Sequence, residues 1–280
     1  MKDTIDAAAG LMKAVPVYHD LLQPTAKELG KNLHTVSKVV TAALAPVRGL
    51  VWGFERIETY LGESLSRKLA NTRPENIEPP PVKVAGPVFE AMRFCTEDEE
   101  LREMFSNLLA NSMDKASKSR AHPAFVEVLK NISSDEAKIL NHIADSRPSK
   151  LLRVFPVIDQ MASYPSRKAN TVINPLTSVI AIESSCENPE LAPTYINNLT
   201  RLGVFGINEL AFSDHTVYSE IENSEKYKKN QEYIESMDKY IEEPVEYESK
   251  KKNVYLTSFG NDLLEIAVRN KEMPQQSKAK

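Results

Sequence analysis

Cysteine is scarce in this chain: Cys95 and Cys186 serve 280 residues. Two distant thiols build neither a disulfide framework nor a metal site of CxxC type, and they suit a reducing cytoplasm. Patterns that carry familiar chemistry are also missing. There is no GxSxG elbow, no P-loop, no HExxH and no CxxC. No apolar run is long enough for a secretory signal, and the opening MKDTIDAAAGLMKAVPVYHD carries Asp3 and Asp6. A positive excess is absent as well. Lys and Arg number 35 against 39 Asp and Glu, for a net charge of −4. The whole molecule therefore exerts no pull on nucleic acid, which leaves only a local patch for such a role. No cofactor, metal or catalytic residue is expected, and the protein reads as a non-enzyme.

What is present is an ordinary globular composition, 41% hydrophobic and 26% charged, long enough for about two domains. The most informative stretch runs from Thr96 to Leu140. Leu101, Met104, Phe105, Leu108, Leu109 and Met113 recur at helical spacing. Acidic Glu97–Glu100 sits at that helix's start, where the macrodipole favours negative charge. His122-Pro123 opens a second helix, and Ser133 with Glu136 has the spacing of a capping box for a third. Asp98, Glu99, Glu100, Glu103, Asp114, Asp135 and Glu136 supply carboxylates here. Nothing in their spacing makes them converge on one ion, and Glu99, Arg102 and Glu103 read as a helix-surface ion pair. His122 reads as a cap or packing group.

This stretch also carries a resemblance. DEELREMFSNLLANSMD followed by HPAFVEVLKNISSDEAKIL resembles the bacterial Abi-alpha family, also catalogued as a domain of unknown function. YHDLLQPTAKELGKNL, APVRGLVWGFERIETYLGESLSRKL, and YINNLTRLGVFGI with YLTSFGNDL are similar to the same family, in the same order. The resemblance implies a role in abortive phage infection. It implies no established reaction and transfers no catalytic residue.

The rest of the chain divides around the linker. Residues 1–71 read as N-terminal helices, with breaks at Pro16 and Pro24 and a surface pair His19-Asp20. Within them, 36–54 is the least polar stretch. Thr41, Ala45, Gly49 and Gly53 recur every fourth residue, spacing that lets two helix backbones approach closely, and Trp52 lies beside them. Core packing, a homo-oligomer contact, or a segment that enters a membrane when triggered would each use it. Lys38, Arg48 and Pro46 argue against a stable span. Residues 72–87 carry five prolines and read as an ordered connector rather than a helix. Pro87 is expected to start a helix over 88–94, within central helices at 88–133.

Residues 134–270 read as a winged-helix-like α+β module, so the fold class is mainly α with this module at the C-terminal side. Its expected parts are an edge strand at 151–158, held there by Pro156, and a helix over 175–186. A helix at 191–202 ended by Gly203 follows, then strands at 204–212 and 253–256, and a last helix capped by Thr257. An enlarged wing fills 213–252, and a polar tail, 271–280, is too polar to pack. On the 191–202 helix, Tyr195, Ile196, Leu199 and Leu202 face the core. Thr194, Asn197, Asn198 and Arg201 face out as an interaction surface, joined by Lys250, Lys251 and Lys252 in the wing. Asn and Arg can read base edges, but one arginine is a poor phosphate complement, and acidic residues at 242–248 precede the lysines. An unknown host or phage protein is the preferred partner, ahead of duplex DNA and ahead of a membrane.

Overall fold

The structure is a computed structural model that describes residues 33–48, 55–95, 98–145, 154–241 and 244–271. The readings at 1–32, at Gly49, Trp52 and Gly53, and in the tail beyond 271 lie outside these residues. The described chain forms two compact units. The first runs to Asn131 and resumes at Glu265, and the second is Ile132–Leu264.

The first unit contains helices α1 (Leu33–Arg48), α2 (Glu55–Lys68), α3 (Val82–Met92), α4 (Glu99–Met113) and α5 (Ala124–Lys130). At the start of α4 the Asp98 carboxylate accepts from the Leu101 N–H at 2.9 Å, answering one orphan donor of the first turn. The six apolar residues read from spacing are all buried, but so are Ser106, Asn107, Asn111 and Ser112. From Met104 to Met113, α4 is therefore enclosed on every side. Its polar groups need partners inside the protein. Asn107 Nδ2 donates to the carbonyls of Ala267 and Val268 at 3.2 and 3.3 Å. Asn111 Nδ2 donates to the Ile266 carbonyl at 2.8 Å. Those acceptors belong to a π-helical turn, Leu264–Val268, whose last carbonyls lack helical partners. Lys271 Nζ then meets Asp114 at 2.8 Å and Asn111 Oδ1 at 3.1 Å.

On the α2 side, Lys68 is fully buried and reaches Glu103 at 2.5 Å. Burial pushes the Glu103 carboxyl up, but Lys68 and the Tyr60 hydroxyl outweigh it and hold it below the usual range. The expected connector, 72–87, is helical from Val82 on, and before that it is held against the end of α4. Ile77 bridges to Asp114, and the Glu78 N–H donates to the Met113 carbonyl at 2.8 Å. Helix α3 begins at Val82, so Pro87 lies inside it rather than at its start. The gain that overrides proline's lost donor is burial of Val84, Ala85, Val88, Phe89 and Met92. In α1, Val36, Val39, Val40, Ala43 and Leu44 are buried while Thr41 and Ala45 are exposed. The described half of the small-residue ladder therefore faces away from this chain's own core. No helix among the described residues is long and apolar enough to cross a membrane.

The second unit opens with α6 (Ser134–Asp145), where the capping box is formed. The Ser133 N–H donates to Glu136 at 2.7 Å and the Glu136 N–H to Ser133 Oγ at 3.3 Å. Then come β1 (Val154–Tyr164), β2 (Ala169–Thr177), the single turn α7 (Ile180–Glu183), α8 (Ala192–Arg201) and β3 (Phe205–Asn208). After them stand α9 (Ser219–Asn223), α10 (Glu225–Glu235), α11 (Asp238–Ile241), β4 (Glu246–Leu256) and α12 (Ser258–Leu263). The sheet is antiparallel in the order β2-β1-β4-β3. Four strands thus stand where three were expected. The helix expected over 175–186 is instead the end of β2 and the single turn α7.

Pro156 also differs from expectation, since β1 is an inner strand. It is tolerated because its carbonyl accepts from Ser178 Oγ at 3.2 Å, on the side where β2 pairing starts only at Ile158. The proline nitrogen faces that same unpaired side. The segment expected as an enlarged wing, 213–252, forms a 3-10 turn (His215–Tyr218), the helices α9, α10 and α11, and the first part of β4. Tyr218, Ile221 and Tyr227 bury against Ile158, so α10 packs over β1, β2 and β4 as a cover. Helix α8 ends as read. Gly203 takes φ 76°, its N–H bonds the Thr200 carbonyl, and the Val204 N–H bonds the Leu199 carbonyl, which is a Schellman motif. Thr257 caps α12 by accepting from the Gly260 N–H at 2.9 Å.

Candidate functional site

The surface proposed from sequence falls in two places of the second unit. On α8, Thr194, Asn197 and Arg201 are exposed and Asn198 is half-buried. Tyr195, Ile196 and Leu199 are buried as expected, with Leu202 half-buried. Asn198 is not a free reader. Its Nδ2 donates to Glu136 Oε1 at 2.7 Å, and its Oδ1 accepts from Arg201 Nη2 at 2.7 Å and Nε at 3.2 Å. The capping glutamate of α6 thus orients Asn198, and Asn198 orients Arg201.

Next to these bonds lies Asp135, a carboxylate that the sequence placed at a helix start without a partner. Asp135 is buried and accepts from the Glu187 and Asn188 amides at 2.8 and 3.0 Å and from the Tyr195 hydroxyl at 2.7 Å. Burial pushes its pKa up, but the Glu187 amide, the Tyr195 hydroxyl and the Asn188 amide overcome it and bring it to about 2. The same burial and the same carboxylate push the Tyr195 phenol well above its ordinary value. The Cys186 thiol, bonded to the Asp135 carbonyl, is pushed up to about 11 by burial and then by Asp135. These shifts leave an ionised acid and two protonated partners near neutrality, an arrangement that ties α6 to the 186–188 loop. A hint was present in sequence: Asp135 follows two serines at a helix start, where a carboxylate is placed to accept amides.

The lysines lie on β4, in a strand rather than a loop. Lys250 pairs with Glu209 at 2.6 Å. Lys251 pairs with Glu222 at 2.8 Å and stands 5.1 Å over the Tyr218 ring. Lys252 pairs with Asp159 at 2.7 Å and Glu209 at 2.9 Å. Burial disfavours the Lys252 charge, yet Asp159 and Glu209 raise its pKa on balance. Each cation already holds an acid, so a DNA phosphate would have to displace a carboxylate.

His122 is exposed, its Nδ1 accepts from the Ala124 N–H at 3.1 Å, and its ring meets Phe125 edge-on. It caps α5, as read. Among the described residues no three His, Cys, Asp or Glu side chains are grouped to hold a metal ion.

These features define a two-unit, mainly helical protein whose buried polar clusters lock one element to the next. A family model described as abortive infection alpha matches residues 53–267, and the chain belongs to that family. No curated protein matches it significantly. A solved structure, an uncharacterized protein from the hydrocarbon-degrading marine bacterium Alcanivorax borkumensis SK2, is similar with 14% identity and a TM-score of 0.35. The match covers 54% of this chain and 94% of that one. Likeness at that level carries no functional information.

Two outcomes follow. The Asp135 charge contributes stability fully above its unfolded pKa near 3.8, and that contribution is lost as pH falls toward about 2. Asp135→Asn should lower unfolding free energy near neutral pH by about 2 kcal/mol and flatten this acid dependence, as read from urea midpoints. An unchanged midpoint would contradict the assignment. Duplex DNA should not be retained in gel shifts at physiological salt, and reversing the charge of the half-exposed Lys250 should leave that result unchanged. Salt-sensitive, nanomolar retention would show a phosphate-binding surface instead.

Proposed function

We propose that the protein serves abortive infection as a sensor or effector that binds a protein partner in the cytoplasm and catalyses no reaction. Family membership carries the defence role. The binding role rests on how the polar groups are used. Asp135, Asp159, Glu136 and Lys252 are each engaged by neighbouring side chains or amides, which leaves them poor candidates for proton transfer or nucleophilic attack. Helix α8 meanwhile presents Thr194, Asn197 and an Arg201 held in place by Asn198, and oriented polar groups of that kind suit the rim of a protein interface. We read the α8–β3 and β4–α12 junctions as a winged-helix-like frame put to protein binding. The alternative use of that frame, as a DNA-binding regulator, would need the paired β4 lysines released.

Phage plating on cells that express the chain tests this. The double change Asn197→Glu with Arg201→Glu should cut protection at least about tenfold, the effect of losing ~1.4 kcal/mol of binding, without moving the melting temperature. His122→Ala should keep protection. A folded His122→Ala that loses all protection, beside an α8 double variant that protects fully, would return a chemical role to the middle of the chain.

A further inference from the structure

The exposed face of α8 begins before the helix itself. Leu191, Thr194, Asn197 and Arg201 follow one another at helical spacing, and Leu191 is 44% exposed. Leu191 ends a 3-10 turn, Pro189–Leu191, that packs against α7, where Ile182 is 64% exposed. Each of these aliphatic side chains has an exposed glutamate next to it, Glu183 after Ile182 and Glu190 before Leu191. Glu187 lies on the loop between them, and no Lys, Arg or His occurs from Ala169 to Thr200. Lys138, from α6, is shared between Glu187 at 3.1 Å and Asp135 at 3.6 Å. Lys226 donates to the main-chain carbonyl of Glu190 at 3.1 Å rather than to its carboxylate. Among the described residues, no ion pair answers the Glu183 or Glu190 carboxylate. The backbone beneath is already fixed. Asp135 accepts the Glu187 and Asn188 amides, and the Cys186 N–H bonds the Ala181 carbonyl at 2.9 Å across Ser185, which holds φ 54°. Binding there carries little ordering cost in this loop.

We propose that this end of the α8 face docks a cationic amphipathic segment of the partner protein. An apolar side chain of that segment sits on Ile182 and Leu191, and its Lys or Arg groups meet Glu183, Glu187 and Glu190. The inference rests on the protein-binding reading of α8 and names the chemistry of what is bound there. Charge complementarity selects the occupant. Free carboxylates repel nucleic acid phosphates and anionic lipid headgroups, and a neutral apolar segment would leave them without partners. A cationic amphipathic segment answers both the apolar centre and the charged rim. Exposed ion pairs contribute little affinity each, so the aliphatic pair supplies the contact while the glutamates select the partner and speed its arrival. Arg201 reverses the sign at the far end of the face, so the segment lies along α8 in one direction, with its cations toward Leu191.

Fluorescence anisotropy on the full chain with two synthetic amphipathic helical peptides, one built of Leu and Lys and one of Leu and Glu, tests the chemistry. The Leu–Lys peptide should bind, more weakly as salt rises, and the Leu–Glu peptide should not. Ile182→Ser with Leu191→Ser, and separately Glu183→Gln with Glu190→Gln, should each weaken Leu–Lys binding at least about tenfold. Melting temperatures should not move, because all four side chains are exposed. In phage plating both double variants should lose protection, as the Asn197→Glu, Arg201→Glu variant does. Equal binding of the two peptides, or binding of neither, overturns the inference. Full protection by both of these double variants overturns it too. If the α8 variant then still loses protection, the protein-binding reading survives, and if it also protects, that reading fails as well.

Discussion

Enclosing a helix on every side presses its polar side chains to bond within the protein, and in α4 both asparagine amides and Ser112 do so, while Asn107 Oδ1 finds no hydrogen-bond partner. Asn107 and Asn111 stand one turn apart on one face of this helix. Their amides meet the carbonyls of Ile266, Ala267 and Val268, groups a helix end leaves without partners. Each side answers the other's unsatisfied need, so the chain's return at Glu265 is specified by hydrogen bonding as well as by burial of Ile266, Ala267 and Val268. Lys68 with Glu103, and Lys271 with Asp114, extend the same logic with charge. An uncompensated buried lysine would be far costlier than the pair it forms.

The second unit repeats the rule in a sheet. Gln160 is fully buried on an inner strand, and its amide donates to the Tyr227 carbonyl and accepts from Asn230. Asp159 accepts from the Leu176 N–H and pairs with Lys252. These bonds hold α10 and β4 on β1, so the long insertion is a structural lid on the sheet. The outer face of α8 stays exposed beside these buried bonds.

Elements whose signals are local were legible in sequence. The capping box of α6, the glycine stop of α8, the threonine cap of α12 and the apolar spacing of α4 each depend on residues within one or two turns. The strand expected at 151–158 meets the start of β1, but its continuation to Tyr164 and its hairpin with β2 were missed because this inner strand buries Asp159, Gln160 and Ser163. Partners distant in the chain satisfy the first two, which erases the alternation of apolar and polar residues that marks a strand. The same cause hid the part of β4 before Asn253, where Lys250, Lys251 and Lys252 read as part of a wing until Glu209, Glu222 and Asp159 are brought beside them. In α4 the spacing revealed one buried face. The second, polar buried face could not be seen without the C-terminal segment that covers it. For the α8 surface, exposure was read correctly at three of four residues, while the internal use of Asn198 depended on Glu136, 62 positions away.

We propose that function lies at surfaces, and the buried polar clusters are occupied in holding together the elements of each unit. That claim stands or falls most directly on the asparagine clamp. Amide hydrogen exchange over residues 264–271 of the full chain measures it. If Asn107 and Asn111 hold this segment, its amides exchange as slowly as those of α4, and Asn111→Ala accelerates them selectively. Exchange at the rate of a free peptide in the wild-type chain would contradict the account.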